Sequence, residues 1–220
     1  GTEMKLTFPH LGNTYIMAKT LLDELGVDYV IPPFNNKKAL ELGTKHSPET
    51  ACLPLKITIG NFIQAYELGA DTILMAGGVG PCRFGYYCEI EREIMRDIGY
   101  EMDLITLEMP DWDIKEFFRR IGKLTGGLHP YKALKAVVET TKVSKMVDDL
   151  ERLTYRVRPR EIKKGSADRI YKEFQKEILN AEGASQVKKM INDTRRELMA
   201  VEIDASYKPL KVGIVGEIYT

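Results

Sequence analysis

An α/β fold with a parallel sheet of about four strands, flavodoxin-like or Rossmann-like, is predicted for residues 4–110. Three observations predict it. Strand-type and helix-type patterns alternate along this stretch. The run Thr72 to Met75 is nearly all apolar, as in a strand covered on both faces, and it leads directly into Gly77-Gly78-Val79-Gly80-Pro81.

Lys5 to Phe8 reads as the first strand, and Pro9-His10-Leu11-Gly12-Asn13 turns from it into a helix carrying Ile16, Leu21, Leu22 and Leu25 and closed by Gly26. Val27 to Ile31 is the second strand, stopped by Pro32-Pro33. A short helix from about Lys37 to Leu42 is expected to end at Gly43. Ser47-Pro48-Glu49 introduces a helical segment from Cys52 to Leu68, closed by Gly69, with Cys52 at its start. After the third strand, Phe84 to Ile98 has helical spacing and ends at Gly99, and a fourth strand follows at about Met102 to Leu107.

From residue 111 to 208 the pattern is helical and charged, broken at Gly126-Gly127, His129-Pro130, Arg158-Pro159 and Gly183. Residues 209–220 read as the first strand of a second α/β domain cut short by the end of the chain. Gly1-Thr2-Glu3 reads as a cloning remnant ahead of a native start at Met4.

Thirty-two basic residues balance thirty-two acidic ones among 220, so no overall positive field draws the chain to nucleic acid or to anionic lipid. No stretch approaches the roughly 18 apolar residues of a membrane helix, and no secretion signal opens the chain. A cytoplasmic protein is expected, with no nucleic-acid or membrane partner. Three cysteines without a secretion signal argue for reduced thiols rather than a disulfide framework.

Cys82 and Cys88 lie in Pro81-Cys82-Arg83-Phe84-Gly85-Tyr86-Tyr87-Cys88, where the third strand gives way to a helix, and Cys52 stands at the mouth of the preceding helix. Spacing alone leaves packing, zinc and iron–sulfur roles open. Zinc lacks a C-x2-C pair and needs His10 or His46 as a fourth ligand. In the iron–sulfur case, three thiolates hold three irons of a cubane and leave the fourth iron open as a Lewis acid. Gly77, Gly78 and Gly80 would then bring backbone N–H groups to the cluster, and the following helix N-terminus would favour thiolate. The glycine loop fits neither G-x-G-x-x-G nor the P-loop lysine pattern, so nucleotide binding is not expected there.

Other candidates are weaker. Arg83 could carry positive charge to the site, and His10 could face the cleft from the end of the first strand. Lys56 and Asn61 could touch substrate, although a solvated helix face is the commoner role. Arg152, Arg156, Arg158, Arg160, Lys163 and Lys164 form a basic stretch of the kind that usually only faces solvent. Tyr15, Tyr66 and Tyr155 read as core or interface aromatics.

Phe8-Pro9-His10-Leu11-Gly12-Asn13, Cys52-Leu53-Pro54-Leu55-Lys56 and the segment from Gly77 to Tyr87 resemble signature segments of the CoA-substrate-specific enzyme activase-related family. Relatives include dehydratase subunits of 2-hydroxyacyl-CoA dehydratases and double-cubane iron–sulfur proteins. The resemblance implies a 4Fe-4S cluster, or part of a double-cubane cluster in a longer protein, with Cys52 and Cys82 as ligands. Cys88 enters as the third ligand because no other cysteine remains. It also implies an ATP-hydrolysing iron–sulfur activator as partner, an acyl-CoA or small-molecule substrate, and a dimer as a candidate assembly. The alternative is a non-catalytic α/β binding or scaffolding domain with structural cysteines or zinc.

Overall fold

The computed structural model describes residues 4–76, 84–107, 130–210 and 212–213. Four parallel strands, β1 (Leu6–Thr7), β2 (Tyr29–Val30), β3 (Thr72–Ala76) and β4 (Asp103–Leu107), pair in the order β2-β1-β3-β4. Leu6 pairs with Tyr29 on one side and Thr72 on the other, and β3 runs in register with β4 from Thr72↔Asp103 to Ala76↔Leu107.

The helices of this unit are α1 (Thr14–Leu25), α2 (Lys37–His46), α3 (Leu53–Glu67) and α4 (Phe84–Asp97). The helical segment supplies α5 (Pro130–Val157), α6 (Ser166–Glu177), a 3-10 turn at Ile178–Asn180, and α7 (Gly183–Met199). Residues 108–129 and 214–220 lie outside the described residues, and so do most of the strand expected at 209–220 and the breaks at Gly126-Gly127 and His129. Leu210, Val212 and Gly213, which are described, carry no regular structure and are exposed.

Side chains alternate across the sheet as strand geometry requires. On β3, Ile73 and Met75 enter a cluster with Leu55, Ile59, Phe62, Ile63, Tyr87, Cys88 and Met95 of α3 and α4. Leu74 faces the other way, into a cluster with Leu6, Tyr15, Ile16 and Leu22. That second cluster continues without interruption through Val143, Val147, Leu150, Phe174, Val187, Ile191 and Leu198. The helical segment thus completes the core of the sheet's second face. Each fully buried Leu or Ile stabilises by about 1.5–3 kcal/mol, which makes this shared surface a large part of the fold's stability.

Several local expectations change on tertiary contact. Gly43 does not end α2. The helix runs on to His46, and a Cβ at Gly43 would lie 1.5 Å from the Lys56 carbonyl oxygen, so glycine is there for close backbone approach to α3. Gly60 makes the reciprocal approach, 1.9 Å from the Ala39 oxygen by the same measure. Of the three tyrosines read as core or interface aromatics, Tyr15 is core, Tyr66 is 37 % exposed and meets Tyr100 edge-on at 5.0 Å, and Tyr155 is 57 % exposed. Among the described residues no helix is long and apolar enough to cross a membrane.

Candidate functional site

The strand order places the site. The chain steps from β1 outward to β2, then returns past β1 to β3 and continues to β4, so the direction of winding reverses between β1 and β3. In open parallel sheets the crevice beyond the carboxyl ends of the strands at such a reversal is the ligand position. Because α3 and α4 run back against the strands, both begin at this carboxyl edge.

Cys52 is the N-cap residue of α3, in extended conformation (φ −68°, ψ 160°), with Pro54 in the first turn. The cap position and the proline are compatible with each other, since Pro lacks the N–H that the first turn leaves without a helical acceptor. The Cys52 thiol is exposed and forms no disulfide. It is hydrogen-bonded with the hydroxyl of Tyr87, in the first turn of α4.

Tyr87, Cys88, Glu91 and Met95 recur at the three- and four-residue spacing that puts them on one face of α4, and all are buried. Cys88, 2 % exposed, forms no disulfide and lies in the apolar cluster with Leu55, Ile59 and Phe62. Glu91 is 0 % exposed, and neither carboxyl oxygen has a hydrogen-bond partner among the described residues. Burial first, and then the nearby Cys52, raise its pKa well above the ordinary carboxylate range. Sequence reading passed over Glu91 because its neighbours Glu89, Arg92 and Glu93 make the stretch look like a solvated helix face. The signal available was its three-residue spacing from Cys88.

A buried carboxyl with no partner costs several kcal/mol, and even the protonated acid keeps a donor and acceptors unpaired. The exposed Cys52 thiol is the soft donor that the described residues offer to an iron–sulfur group. Among the described residues, no set of three His, Cys, Asp or Glu side chains converges as a metal site. Cys82, Arg83, Gly77, Gly78 and Gly80 lie in 77–83, between β3 and α4 and outside the described residues.

His10 follows β1 at the same carboxyl edge but is 3 % exposed rather than open to a cleft. Its ring stacks on Tyr15 at 4.8 Å and packs against Phe34 at 4.7 Å. Nδ1–H donates to the Pro32 carbonyl at 3.2 Å, which leaves Nε2 as the unprotonated nitrogen. Burial holds its pKa below the usual 6.5, outweighing the Pro32 bond. An apolar cavity of about 390 Å³ lies beside it, lined by Tyr29, Ile31, Pro32, Pro33, Phe34 and Leu179.

Asn61 is fully buried, against the expectation of a solvated position: its Oδ1 accepts the His10 backbone N–H at 3.2 Å and so ties α3 to the β1 loop. Lys56 donates to the Glu49 carbonyl at 3.2 Å. His46 ends α2, and in the basic stretch Arg152, Arg156, Lys163 and Lys164 are exposed while Arg158 and Arg160 are half-buried, Arg158 pairing with Asp168 at 2.6 Å.

Fold and site together define a parallel α/β protein with a cysteine at the carboxyl edge of its winding reversal. Residues 10–77 match the family described as the CoA enzyme activase uncharacterised domain, which supports a relation to the CoA-substrate-specific enzyme activases. That segment runs from His10 through Cys52 to the end of β3. No curated protein matches the chain.

Proposed function

We propose that the chain is an iron–sulfur component related to 2-hydroxyacyl-CoA dehydratases and their activases. It accepts a low-potential electron from an ATP-hydrolysing activator and passes it to a bound acyl-CoA or small-molecule substrate. Cys52, Cys82 and Cys88 are the thiolate ligands in this reading, with Gly77, Gly78 and Gly80 offering backbone N–H groups. The single observation that carries it is the exposed Cys52 thiol, outside any disulfide, at the N-terminus of α3 on the ligand edge of the sheet. The match of residues 10–77 to an activase-related domain supports the choice of partner class.

A 4Fe-4S group supplies one-electron chemistry and, where an iron lacks a thiolate, Lewis acidity toward a substrate oxygen. The chain's own part is to hold, orient and exclude water. The N-termini of α3 and α4 direct positive dipole ends toward bound negative charge. Tyr87 orients the Cys52 thiol. The apolar cavity beside His10 is suited to an uncharged portion of a substrate.

Iron and acid-labile sulfide, measured on protein reconstituted without oxygen beside Cys52→Ala and Cys82→Ala variants, test the reading. About four of each per chain, lost in both variants, supports it. Colourless, iron-free wild-type protein overturns it in favour of a binding domain, and about one zinc per chain favours the zinc alternative.

A further inference from the structure

A buried histidine and a cavity meet just beyond the carboxyl ends of β1 and β2, built without any cysteine. The His10 ring is held on three sides: Tyr15 stacks on it at 4.8 Å, Phe34 packs against it at 4.7 Å, and Nδ1–H donates to the Pro32 carbonyl at 3.2 Å. That bond fixes the tautomer and leaves Nε2 with a lone pair, and burial favours the same neutral form. Nε2 has no hydrogen-bond partner among the described residues, yet it is not one of the side-chain atoms sealed from solvent without a partner. In a residue only 3 % exposed, this nitrogen is therefore reached from outside, and the space beside it is the cavity of about 390 Å³, the scale of a small-ligand site.

The rest of the lining is short of donors. Pro32 and Pro33 have no backbone N–H. Ile31, Phe34 and Leu179 are apolar, and the Tyr29 hydroxyl is already engaged, donating to Asp23 at 2.6 Å and accepting from Lys19 at 2.9 Å. Lys19 is itself paired with Asp23 at 2.8 Å. A carboxylate or a phosphate would find neither an unpaired cation nor a free side-chain donor in this lining, whereas an O–H or N–H group would find the Nε2 lone pair. We infer that this cavity binds an uncharged, largely aliphatic molecule carrying one hydrogen-bond donor, with His10 Nε2 accepting from that donor. The inference rests on this cavity being the place of the uncharged portion of the substrate, and it uses none of the cluster ligands.

The test titrates the full chain, with nitrogen-15 in its histidines, with n-hexanol and with methyl pentyl ether, a match in size that lacks the donor, at mildly alkaline pH. The His10 signals are assigned by elimination with His46→Gln and His129→Gln. In wild-type protein Nε2 is expected to resonate as an unprotonated nitrogen and to shift to saturation with hexanol. The ether should leave Nε2 unmoved and bind about fivefold more weakly, for want of one hydrogen bond. His10→Phe, which keeps a ring between Tyr15 and Phe34, should bind the two probes alike, and Leu179→Trp, at a half-buried wall position, should weaken both. A protonated Nε2, equal affinities with Nε2 unmoved, or no saturable binding overturns the inference. So does hexanol shifting Nε2 in Leu179→Trp just as in wild type. Should either variant not fold, the wild-type nitrogen shift decides alone. Iron measured on reconstituted samples keeps the two readings apart: iron-free protein that binds hexanol through Nε2 overturns only the iron–sulfur reading, and iron-loaded protein with an unresponsive His10 overturns only this inference.

Discussion

Asp23 at the end of α1 accepts the backbone N–H of Gly183 at 2.9 Å, across 160 residues of sequence, and so caps the first turn of α7 from a different part of the fold. Glu24 does the same for Ala184 at 2.9 Å. Gly183 has φ +68°, and a Cβ there would come 3.2 Å from Glu24 Oε1, so both the backbone conformation and the space call for glycine. Asp23 also pairs with the buried Lys19 at 2.8 Å and accepts the Tyr29 hydroxyl at 2.6 Å.

Asp23→Asn is therefore expected to lower the unfolding free energy by about 2–4 kcal/mol, because it removes the charge facing the buried Lys19 ammonium, which keeps the Tyr29 hydroxyl at 2.9 Å, and weakens the α7 cap. Glu24→Gln, which touches only the cap, should cost about 1 kcal/mol. Urea denaturation of both variants checks the difference, and equal losses would mean that Lys19 finds another partner.

Gly43→Ala and Gly60→Ala each drive a methyl group into backbone of the facing helix, where no side-chain rotation relieves it. A loss of about 3 kcal/mol is expected from either. Because Gly43 meets Lys56, in the first turn of α3, Gly43→Ala should also displace Cys52. Faster alkylation of that thiol relative to the same change at Gly60 would register the displacement.

Thiol chemistry should separate the cysteines. In a Cys82→Ser background, iodoacetamide is expected to label Cys52 quickly and Cys88 only on unfolding, since one is exposed and the other buried. Mass spectrometry of timed digests reads the two rates. Rapid modification of Cys88 in folded protein would contradict its packing in the α3–α4 core.

His10 gives the protein a defined acid sensitivity. Its folded pKa is below the unfolded value of 6.5, so the unfolded chain takes up the proton first as pH falls. Stability from this residue is complete above 6.5, declines as pH drops through 6.5 toward the lowered folded value, and levels off beneath it. His10→Phe, which retains the contacts with Tyr15 and Phe34, should flatten that part of the stability–pH curve. An unchanged curve would show that His10 titrates alike in the folded and the unfolded chain.

The order of elements was legible because each strand and helix of the α/β unit carries its own pattern. The continuous apolar run at Thr72 to Met75, the cap position of Cys52 and the glycine after Leu25 are all local facts. Gly43 misled because glycine stops helices when only the backbone is considered, whereas here it permits two helices to touch. Tyr155, read as a core or interface aromatic, is not core: at 57 % exposure its ring lies along the surface with its hydroxyl donating to Glu151.

By itself, then, the sequence determined the α/β class, the strands and helices of residues 4–107, and the three thiols worth attention. These depend on periodicity and capping, which act over a few residues. Only the tertiary structure decided that the helical segment shares a core with the sheet, that His10 and Asn61 are buried together, and that Glu91 is buried with no hydrogen-bond partner among the described residues. Those outcomes depend on which faces meet, and a charged residue between charged neighbours carries no mark of the partner it lacks until the helix is packed.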